Sequence, residues 1–357
     1  MFNNFAYIAL LCIICILLLL RRILAENSKI IASRIVCACL IIFSGFRFCV
    51  GTDYNGYVDT FEKVVTQGRY YELEWGYYWL VKIVDRIGGT AQFVFLLFAF
   101  ATITFIYKFI EHFSENVELS WLVFVCIGPY YVSTFNGMRQ WLAVAIFAYS
   151  LRFIKENNFK KYLLFNMIGF LFHYSAIILI PFYWVLKAKG FSVFKSVIYY
   201  LVFQIFVLTG VVDRIAEELH AKSYVEGDGA LTLDWAYYLF LVLSIGFIIL
   251  DLVWKMFNDE NVLWKNINML SGLTVFLAIT SSDLSNIIFT RFNMYFFIGY
   301  IILIPAVISK ISNKFLKPIV MVSSIVLSIT YYLYVTSTAK DLLPYQMSFD
   351  LFTWLRG

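Results

Sequence analysis

Residues 5–22 read FAYIALLCIICILLLLRR, an apolar run that ends in two arginines. A membrane-spanning helix needs about 20 predominantly apolar residues, so this run and its neighbours suffice for one span. Lys and Arg beside a span concentrate on the cytoplasmic side, which places Arg21 and Arg22 in the cytoplasm and the N-terminus outside. Because no basic residue precedes the run, the sequence favours a retained first helix over a cleaved signal peptide.

The composition extends this conclusion to the whole chain. Of the 357 residues, 62% are hydrophobic and 14% are charged, and the mean hydropathy is +0.79. A soluble domain is about half apolar and about a quarter charged. We therefore predict an all-α polytopic integral membrane protein. Since the chain shows neither internal repeats nor low-complexity linkers, we expect one membrane domain over residues 1–357.

The net charge of +5 comes from Lys and Arg in short loops between apolar segments. Such residues orient spans in the bilayer, so we expect contact with membrane lipid and none with nucleic acid. The alternation of apolar segments and basic loops predicts about 11–13 transmembrane or re-entrant helices.

Two segments leave the topology open. Residues 74–87 are short, aromatic and charged near their end, which indicates an interfacial or partly inserted helix. Residues 162–186 have the length of one long helix, but two half-helices meeting at His173-Tyr174-Ser175 are favoured. In that form Lys187 and the lysines after it return to the cytoplasm, and broken helices are tolerated where they line a cavity.

Polar motifs interrupt or edge the apolar stretches, and the predicted topology puts them near one face. A charge in hydrocarbon costs roughly 2.5 kcal/mol or more, so such residues indicate a functional site. Outer loops are predicted over residues 47–75 and 213–234. The sequence therefore predicts a polar cavity that opens outward. The motifs are Gly51-Thr-Asp53-Tyr54, Met138-Arg139-Gln140, Phe172-His173-Tyr174-Ser175 and Thr290-Arg291.

Two arginines are the candidate anion ligands. Arg139 begins a predicted helix, where its planar guanidinium adds to backbone N–H groups that face an anion. Asn136 and Gln140 supply further hydrogen-bond donors beside it. Arg291 lies a few residues inside an outer boundary, and either binds a second phosphate or pairs with Asp283.

Three other residues could take part in proton transfer or sugar binding. The imidazole of His173 can exchange protons near neutral pH, although a lone His is often structural. The Asp53 carboxylate could act as a base, bind sugar hydroxyls, orient an arginine or cap a turn. Glu74 precedes Trp75-Gly76-Tyr77, a carboxylate-plus-aromatic pattern typical of sugar sites. The residues do not decide between His173 and Asp53 as the base.

Motifs for other chemistry are missing from the sequence. It has no Walker loop, no HExxH, no GxSxG and no GxGxxG after a strand. The three His are scattered, and the six Cys, mostly inside apolar runs, give neither a disulfide framework nor a zinc site. We therefore expect no metal and no cofactor.

Taken in order, five motifs resemble the EpsG family of Wzy-like polysaccharide polymerases. They are Gly51-Thr-Asp53-Tyr54-x-x-Tyr57, Glu74-Trp-Gly76-Tyr77, Met138-Arg139-Gln140, Phe172-His173-Tyr174-Ser175-Ala176 and Arg291-x-x-x-Tyr295. The resemblance implies a GT-C-like architecture with an outward-facing cavity in the bacterial inner membrane. It implies a metal-independent glycosyltransferase that joins repeat units carried on undecaprenyl pyrophosphate at the periplasmic or exterior face. A chain-length regulator protein is an expected partner.

The resemblance also implies roles for the candidate residues. His173 or Asp53 would activate the acceptor hydroxyl, and Arg139 and Arg291 would bind pyrophosphate. The other expected substrate contacts are Gln140, Asn136, Tyr54, Glu74, Tyr174 and Asp283. Three other classes remain open: an O-antigen ligase, a lipid-linked oligosaccharide flippase and a membrane O-acetyltransferase.

Overall fold

The computed structural model describes residues 4–68, 73–127, 130–189, 193–210, 214, 235–254, 261–281 and 283–353. The helices before residue 190 are α1 (Phe5–Ile23), α2 (Glu26–Gly45), α3 (Tyr54–Gln67), α4 (Trp75–Arg86), α5 (Ala91–Phe113), α6 (Val117–Cys126), α7 (Met138–Lys155), α8 (Phe159–Phe172) and α9 (Phe182–Lys187). After it come α10 (Val193–Leu208), α11 (Trp235–Trp254), α12 (Val262–Thr280), α13 (Asp283–Phe297), α14 (Tyr300–Lys310) and α15 (Leu316–Thr338).

Other regular structure in these ranges is short. Strands β1 (Arg47–Phe48) and β2 (Gln346–Met347) form an antiparallel pair in which Arg47 faces Met347. Short 3-10 helices cover Val132–Phe135, Tyr174–Leu179 and Lys340–Leu342. The predicted outer loop over residues 213–234 lies outside the described residues, apart from Arg214.

Five described helices are long and apolar enough to cross a membrane: α1, α2, α5, α12 and α15. Residues Ile288–Phe297 of α13 and helix α14 form a further candidate span, bent by 44°. The all-α polytopic class is therefore confirmed. The described part of the chain has fewer full-length candidates than the 11–13 segments predicted, because several predicted segments are short helices. Helix α6 has 10 residues and α8 has 14, below the about 20 that span hydrocarbon.

The chain divides into two compact units. The first comprises Met1–Phe153, Lys160–Leu179 and Ile304–Gly357, and the second comprises Ile154–Phe159 and Ile180–Leu303. The expectation of one membrane domain over residues 1–357 stays a prediction.

In the first unit, α2 packs along α5, and α6 lies against α1 and α15. The Tyr332 hydroxyl on α15 donates to the Tyr7 carbonyl on α1 (3.1 Å), and the Tyr7 hydroxyl donates to the Leu342 carbonyl (3.0 Å). Helices α3 and α4 pack on each other and on α5. Buried hydroxyls thus have partners inside the protein, as an environment without water requires.

Arg21, predicted to mark a cytoplasmic loop, is buried within the first unit. Its Nε donates to Oγ of Ser33 (2.8 Å), and its guanidinium pairs with Glu118 and with Glu111 (3.5 Å). A buried charge is tolerated when it is paired and hydrogen-bonded. The basic end of α1 is therefore tied to α2, to α5 and to the start of α6.

The break predicted within residues 162–186 is present. Helix α8 ends at Phe172, a 3-10 helix runs over Tyr174–Leu179, and α9 covers only Phe182–Lys187. The backbone N–H of His173 still donates to the Gly169 carbonyl (2.9 Å), so His173 directly follows the last helical turn. The return of the chain to the cytoplasm after this break stays a prediction.

In the second unit, α12 packs against α9, α10, α11 and α13. Its buried face carries polar side chains that bond across helices. The Tyr300 hydroxyl donates to Oδ1 of Asn268 (2.9 Å). The hydroxyls of Ser271 and Thr274 both donate to Oδ1 of Asn293, at 3.1 and 2.8 Å. Such bonds hold apolar helices together without charge.

Candidate functional site

Glu74 is placed by a close approach between two helices of the first unit. It directly precedes α4, and Gly76 in the first turn of α4 lies against the C-terminal end of α8. A Cβ atom on Gly76 would lie 2.6 Å from the Leu171 carbonyl oxygen, so a larger residue would force the two helices apart. The approach brings Glu74 to His173, the residue that follows α8.

Glu74 is the centre of a three-residue cluster. Its Oε2 accepts a hydrogen bond from Nη1 of Arg139 in the first turn of α7, and its Oε1 lies 3.1 Å from Nδ1 of His173. The side chains of Glu74, Arg139 and His173 are 5%, 17% and 12% exposed. The structure thus brings together three predicted site residues that are distant in the sequence. Arg139 and His173 lie 65 and 99 positions after Glu74.

The contacts of Glu74 decide its charge. Burial raises the pKa of Glu74, but the hydrogen bond with His173 and the charge of Arg139 lower it, and the resulting pKa lies below the ordinary 4.5. Glu74 is therefore a carboxylate at neutral pH and only accepts hydrogen bonds. When His173 is neutral, this contact assigns its proton to Nδ1 and its lone pair to Nε2. This tautomer orients the imidazole to accept a proton at Nε2.

Aromatic rings flank the guanidinium of Arg139. Its Cζ lies 5.3 Å from the ring centroid of Tyr77 on α4 and 5.7 Å from that of Tyr57 on α3. A cation over an aromatic face gains about 0.5–2 kcal/mol. The partly exposed Tyr174 donates from its hydroxyl to the Leu73 carbonyl (3.1 Å), directly before Glu74 in the chain. The tyrosines therefore restrict how the charged groups of the cluster move.

Asp53 lies beside the turn that starts α7, and its carboxylate bonds there. Oδ2 of Asp53 accepts the backbone N–H of Gly137 (2.7 Å), and Oδ1 of Asn136 accepts the backbone N–H of Asp53 (3.4 Å). Gly137 has a φ of +55°, a left-handed conformation that glycine adopts without steric cost. A carboxylate at a helix N-terminus also suits the helix dipole. Asp53 thus positions the start of α7, and its catalytic role stays a prediction.

Two residues expected to bind substrate are buried. The ring of Tyr54 stacks on Phe95 with centroids 4.7 Å apart, and its hydroxyl donates to Oε1 of Gln92 (3.2 Å). Gln140 is 3% exposed. Both side chains thus pack inside the protein, and their expected contact with substrate stays a prediction.

Arg291 and Asp283 belong to the second unit. Both lie on α13, where the eight-residue separation corresponds to a rise of about 12 Å. The pairing of Arg291 with Asp283 that the sequence suggests stays a prediction. Arg291 is half-buried, and its role as a second phosphate ligand stays a prediction.

Arg47 is a buried cation near the site that was not predicted from the sequence. Arg47 in β1 is 1% exposed, and its guanidinium donates to the carbonyls of Ser44 (2.7 Å), Val50 (3.3 Å) and Phe135 (2.9 Å). Its Cζ also lies 4.8 Å from the Phe95 ring centroid. Burial lowers the pKa of Arg47 to about 10, so it remains charged at neutral pH. The bond to Phe135 ties Arg47 to the turn before α7, and its signal in the sequence is an arginine directly after an apolar segment.

Within the described ranges, no three His, Cys, Asp or Glu side chains are arranged to hold a metal ion. The cluster instead places a carboxylate-oriented imidazole beside a guanidinium. An imidazole can accept a proton from a hydroxyl, and a guanidinium can bind phosphate oxygens with its planar fork. The site can therefore combine base catalysis with stabilisation of an anion.

Comparison with known proteins identifies a related family. The family model described as the EpsG family matches residues 30–347, which include Glu74, Arg139 and His173. Neither the curated proteins nor the solved structures give a match.

Proposed function

We propose that this chain, a member of the EpsG family of Wzy-like polysaccharide polymerases, joins oligosaccharide repeat units carried on undecaprenyl pyrophosphate. The reaction takes place at the outer face of the bacterial inner membrane, and the growing chain moves from its lipid carrier onto the next lipid-linked unit. The observation that carries this proposal is the cluster of Glu74, Arg139 and His173, which joins a proton acceptor to an anion ligand.

The reaction exchanges a glycosyl phosphate bond for a glycosidic bond. The acceptor hydroxyl oxygen attacks the anomeric carbon of the donor sugar, and the new C–O bond forms as the bond to the pyrophosphate oxygen breaks. The hydroxyl proton passes to Nε2 of His173, and undecaprenyl pyrophosphate leaves with the bonding electrons. A positioned base typically contributes about 10²–10⁴ in rate. The pyrophosphate is already an activated leaving group, so the proposal requires neither a metal nor a nucleotide.

Arg139 binds the pyrophosphate in this mechanism. Its planar fork suits two phosphate oxygens, and the start of α7 adds backbone N–H donors. Glu74 acts as a positioning residue, because its two oxygens hold the imidazole and the guanidinium at the same time. The proton acceptor and the anion ligand are thus oriented before the substrates arrive, which lowers the entropic part of the barrier.

His173 is preferred to Asp53 as the base. The Asp53 carboxylate is engaged by the backbone N–H of Gly137, and that bond maintains the turn before α7. Arg291 remains the proposed second phosphate ligand, and Tyr174 a proposed sugar contact. A chain-length regulator protein is the proposed partner.

The surface products of cells that lack this chain test the proposal. A polymerase mutant still exports single repeat units, so a single-unit product is expected on the surface. Long polymer retained on undecaprenyl pyrophosphate would instead identify a ligase, and single units stranded at the cytoplasmic face would identify a flippase. His173→Ala is expected to reproduce the single-unit product at normal protein abundance.

The outward orientation of the site has its own test. Single cysteines in a Cys-free background are labelled in intact cells with an impermeant maleimide. Positions 136 and 173 are expected to react from outside, and positions 155, 187 and 314 only after permeabilisation. Labelling of position 155 but not of position 136 would invert the proposed topology.

A further inference from the structure

The segment Ala339–Thr353, here called the C-terminal clamp, packs back onto the first unit. Its middle part forms β2, which pairs with β1. The Ser348 N–H donates to the Phe46 carbonyl (2.8 Å), and the ring of Tyr345 stacks on Phe43 with centroids 3.9 Å apart. The clamp is thus fixed to the last turn of α2 and to the chain directly after it.

The first part of the clamp holds the turn that starts α7. The Asp341 carbonyl accepts the N–H of Gly51 (2.8 Å), and Oδ2 of Asp341 accepts a hydrogen bond from Nδ2 of Asn136 (3.3 Å). Gly51 has a φ of +100°, and a Cβ atom there would lie 2.6 Å from Oδ1 of Asn136. Asn136 in turn precedes Gly137, whose N–H is bound by Asp53. Asp341 therefore anchors the contact between the two loops beside α7.

The last part of the clamp holds the far end of α4. The N–H of Thr90 donates to the Leu351 carbonyl (2.9 Å), and the N–H of Thr353 donates to the Gly88 carbonyl (2.8 Å). The rings of Phe352 and Phe93 lie 5.0 Å apart. These bonds fix the loop that joins α4 to α5, and the other end of α4 begins directly after Glu74.

We infer that the C-terminal clamp sets the distance between the Glu74 carboxylate and the Arg139 guanidinium, and that Asp341 is a positioning residue of the site. One continuous segment holds both the turn before α7 and the loop after α4. Arg139 lies two residues after Gly137, so a shift of that turn moves the guanidinium. A misplacement of about 1 Å can cost about 10²-fold in rate. The inference deepens the proposed function and rests on it.

Asp341→Ala tests the inference, with Lys340→Ala as the matched control because Lys340 is the exposed neighbour in the same 3-10 helix. Backbone hydrogen exchange of the full-length protein in liposomes is measured over residues 136–141, together with elongation of lipid-linked repeat units. Asp341→Ala is expected to exchange faster there and to lower kcat by about 10–100-fold, with KM unchanged. Asp341→Asn keeps an acceptor oxygen for Asn136 and is expected to restore most of the rate. The inference is overturned if Asp341→Ala shows the same exchange and the same elongation rate as Lys340→Ala. It is also overturned if Asp341→Ala exchanges faster but elongates at the rate of Lys340→Ala.

The exchange measurement needs no substrate, so it separates this inference from the proposed function. If exchange near Gly137 is unchanged in Asp341→Ala while Arg139→Lys abolishes elongation, the inference is wrong and the proposed function stands. If Arg139→Lys and Glu74→Gln elongate normally, the proposed roles of these two residues are wrong. If the wild-type protein does not elongate lipid-linked repeat units, the proposed function is wrong, whatever exchange Asp341→Ala shows.

Discussion

The Nδ1 atom of His173 lies 3.1 Å from Oε1 of Glu74, although 99 positions separate the two residues in the sequence. The other oxygen of the same carboxylate accepts a hydrogen bond from Arg139. One buried carboxylate therefore orients a proton acceptor and a cation at once. Its contacts with His173 and Arg139 lead to separate predictions for the elongation rate and for the free energy of unfolding.

Glu74→Gln is expected to slow elongation by at least about 10²-fold, because the amide lacks the charge that pairs with Arg139 and no longer fixes the tautomer of His173. Chain length is measured with lipid-linked repeat units at equal protein abundance. Glu62→Gln is the matched control, since Glu62 is exposed on α3. An elongation rate for Glu74→Gln equal to that of the control would remove Glu74 from the mechanism.

Arg139→Lys keeps a positive charge but loses the planar fork that binds two phosphate oxygens. We expect chains to collapse to one repeat unit while the protein remains at normal abundance in the membrane. Arg86→Lys, at an exposed position in the last turn of α4, is the control and should make long chains. Long chains from Arg139→Lys would contradict bidentate binding of pyrophosphate.

The lowered pKa of Glu74 gives the folded state a pH dependence of defined sign. A carboxyl group whose pKa is lower in the folded state stabilises that state above its unfolded value, here the ordinary 4.5. This contribution is lost as the pH falls through the folded-state pKa. The free energy of unfolding of the wild type minus that of Glu74→Gln should thus be largest near neutral pH and shrink on acidification. Denaturant titrations in detergent measure it, and a difference that grows below pH 4.5 would argue against the ion pair.

Gly76→Ala is expected to destabilise the protein by about 1–3 kcal/mol, because overpacking at a close helix contact forces the backbone to shift. The added Cβ would lie 2.6 Å from the Leu171 carbonyl oxygen. Elongation should fall too, since the shift separates Glu74 from His173. Gly56→Ala is the control, as nothing lies within 4 Å of a Cβ there, and it should be neutral or slightly stabilising. Equal unfolding midpoints for the two variants would show that the approach at Gly76 is not tight.

Apolar runs and basic loops were enough to predict the fold class, because hydrocarbon restricts a spanning chain to few solutions. The ordered motifs predicted the family, and the match over residues 30–347 confirms it. The break near His173 was also predicted, since the lysines after it require the chain to turn back. The length of α6 was predicted less well: it has 10 residues and is shorter than a span, as apolar composition does not show where a helix ends.

The sequence predicted that Glu74, Arg139 and His173 are site residues, but it did not predict the hydrogen bonds that join them. These contacts depend on the approach of α4 to α8 at Gly76, a tertiary feature without a local signal. Arg47 and Asp341 were missed for a related reason. Arg47 bonds to backbone carbonyls, which every residue type has, and Asp341 lies in a tail without hydrophobic periodicity.

Elongation by the purified protein in liposomes tests the central claim, the role of His173 as the base oriented by Glu74. The only substrates supplied are lipid-linked repeat units, and chain length and binding of undecaprenyl pyrophosphate are measured together. We predict that the wild type lengthens chains without added metal or nucleotide, and that His173→Ala binds the lipid pyrophosphate but elongates about 10²–10⁴-fold more slowly. Elongation by His173→Ala at the wild-type rate would contradict the account.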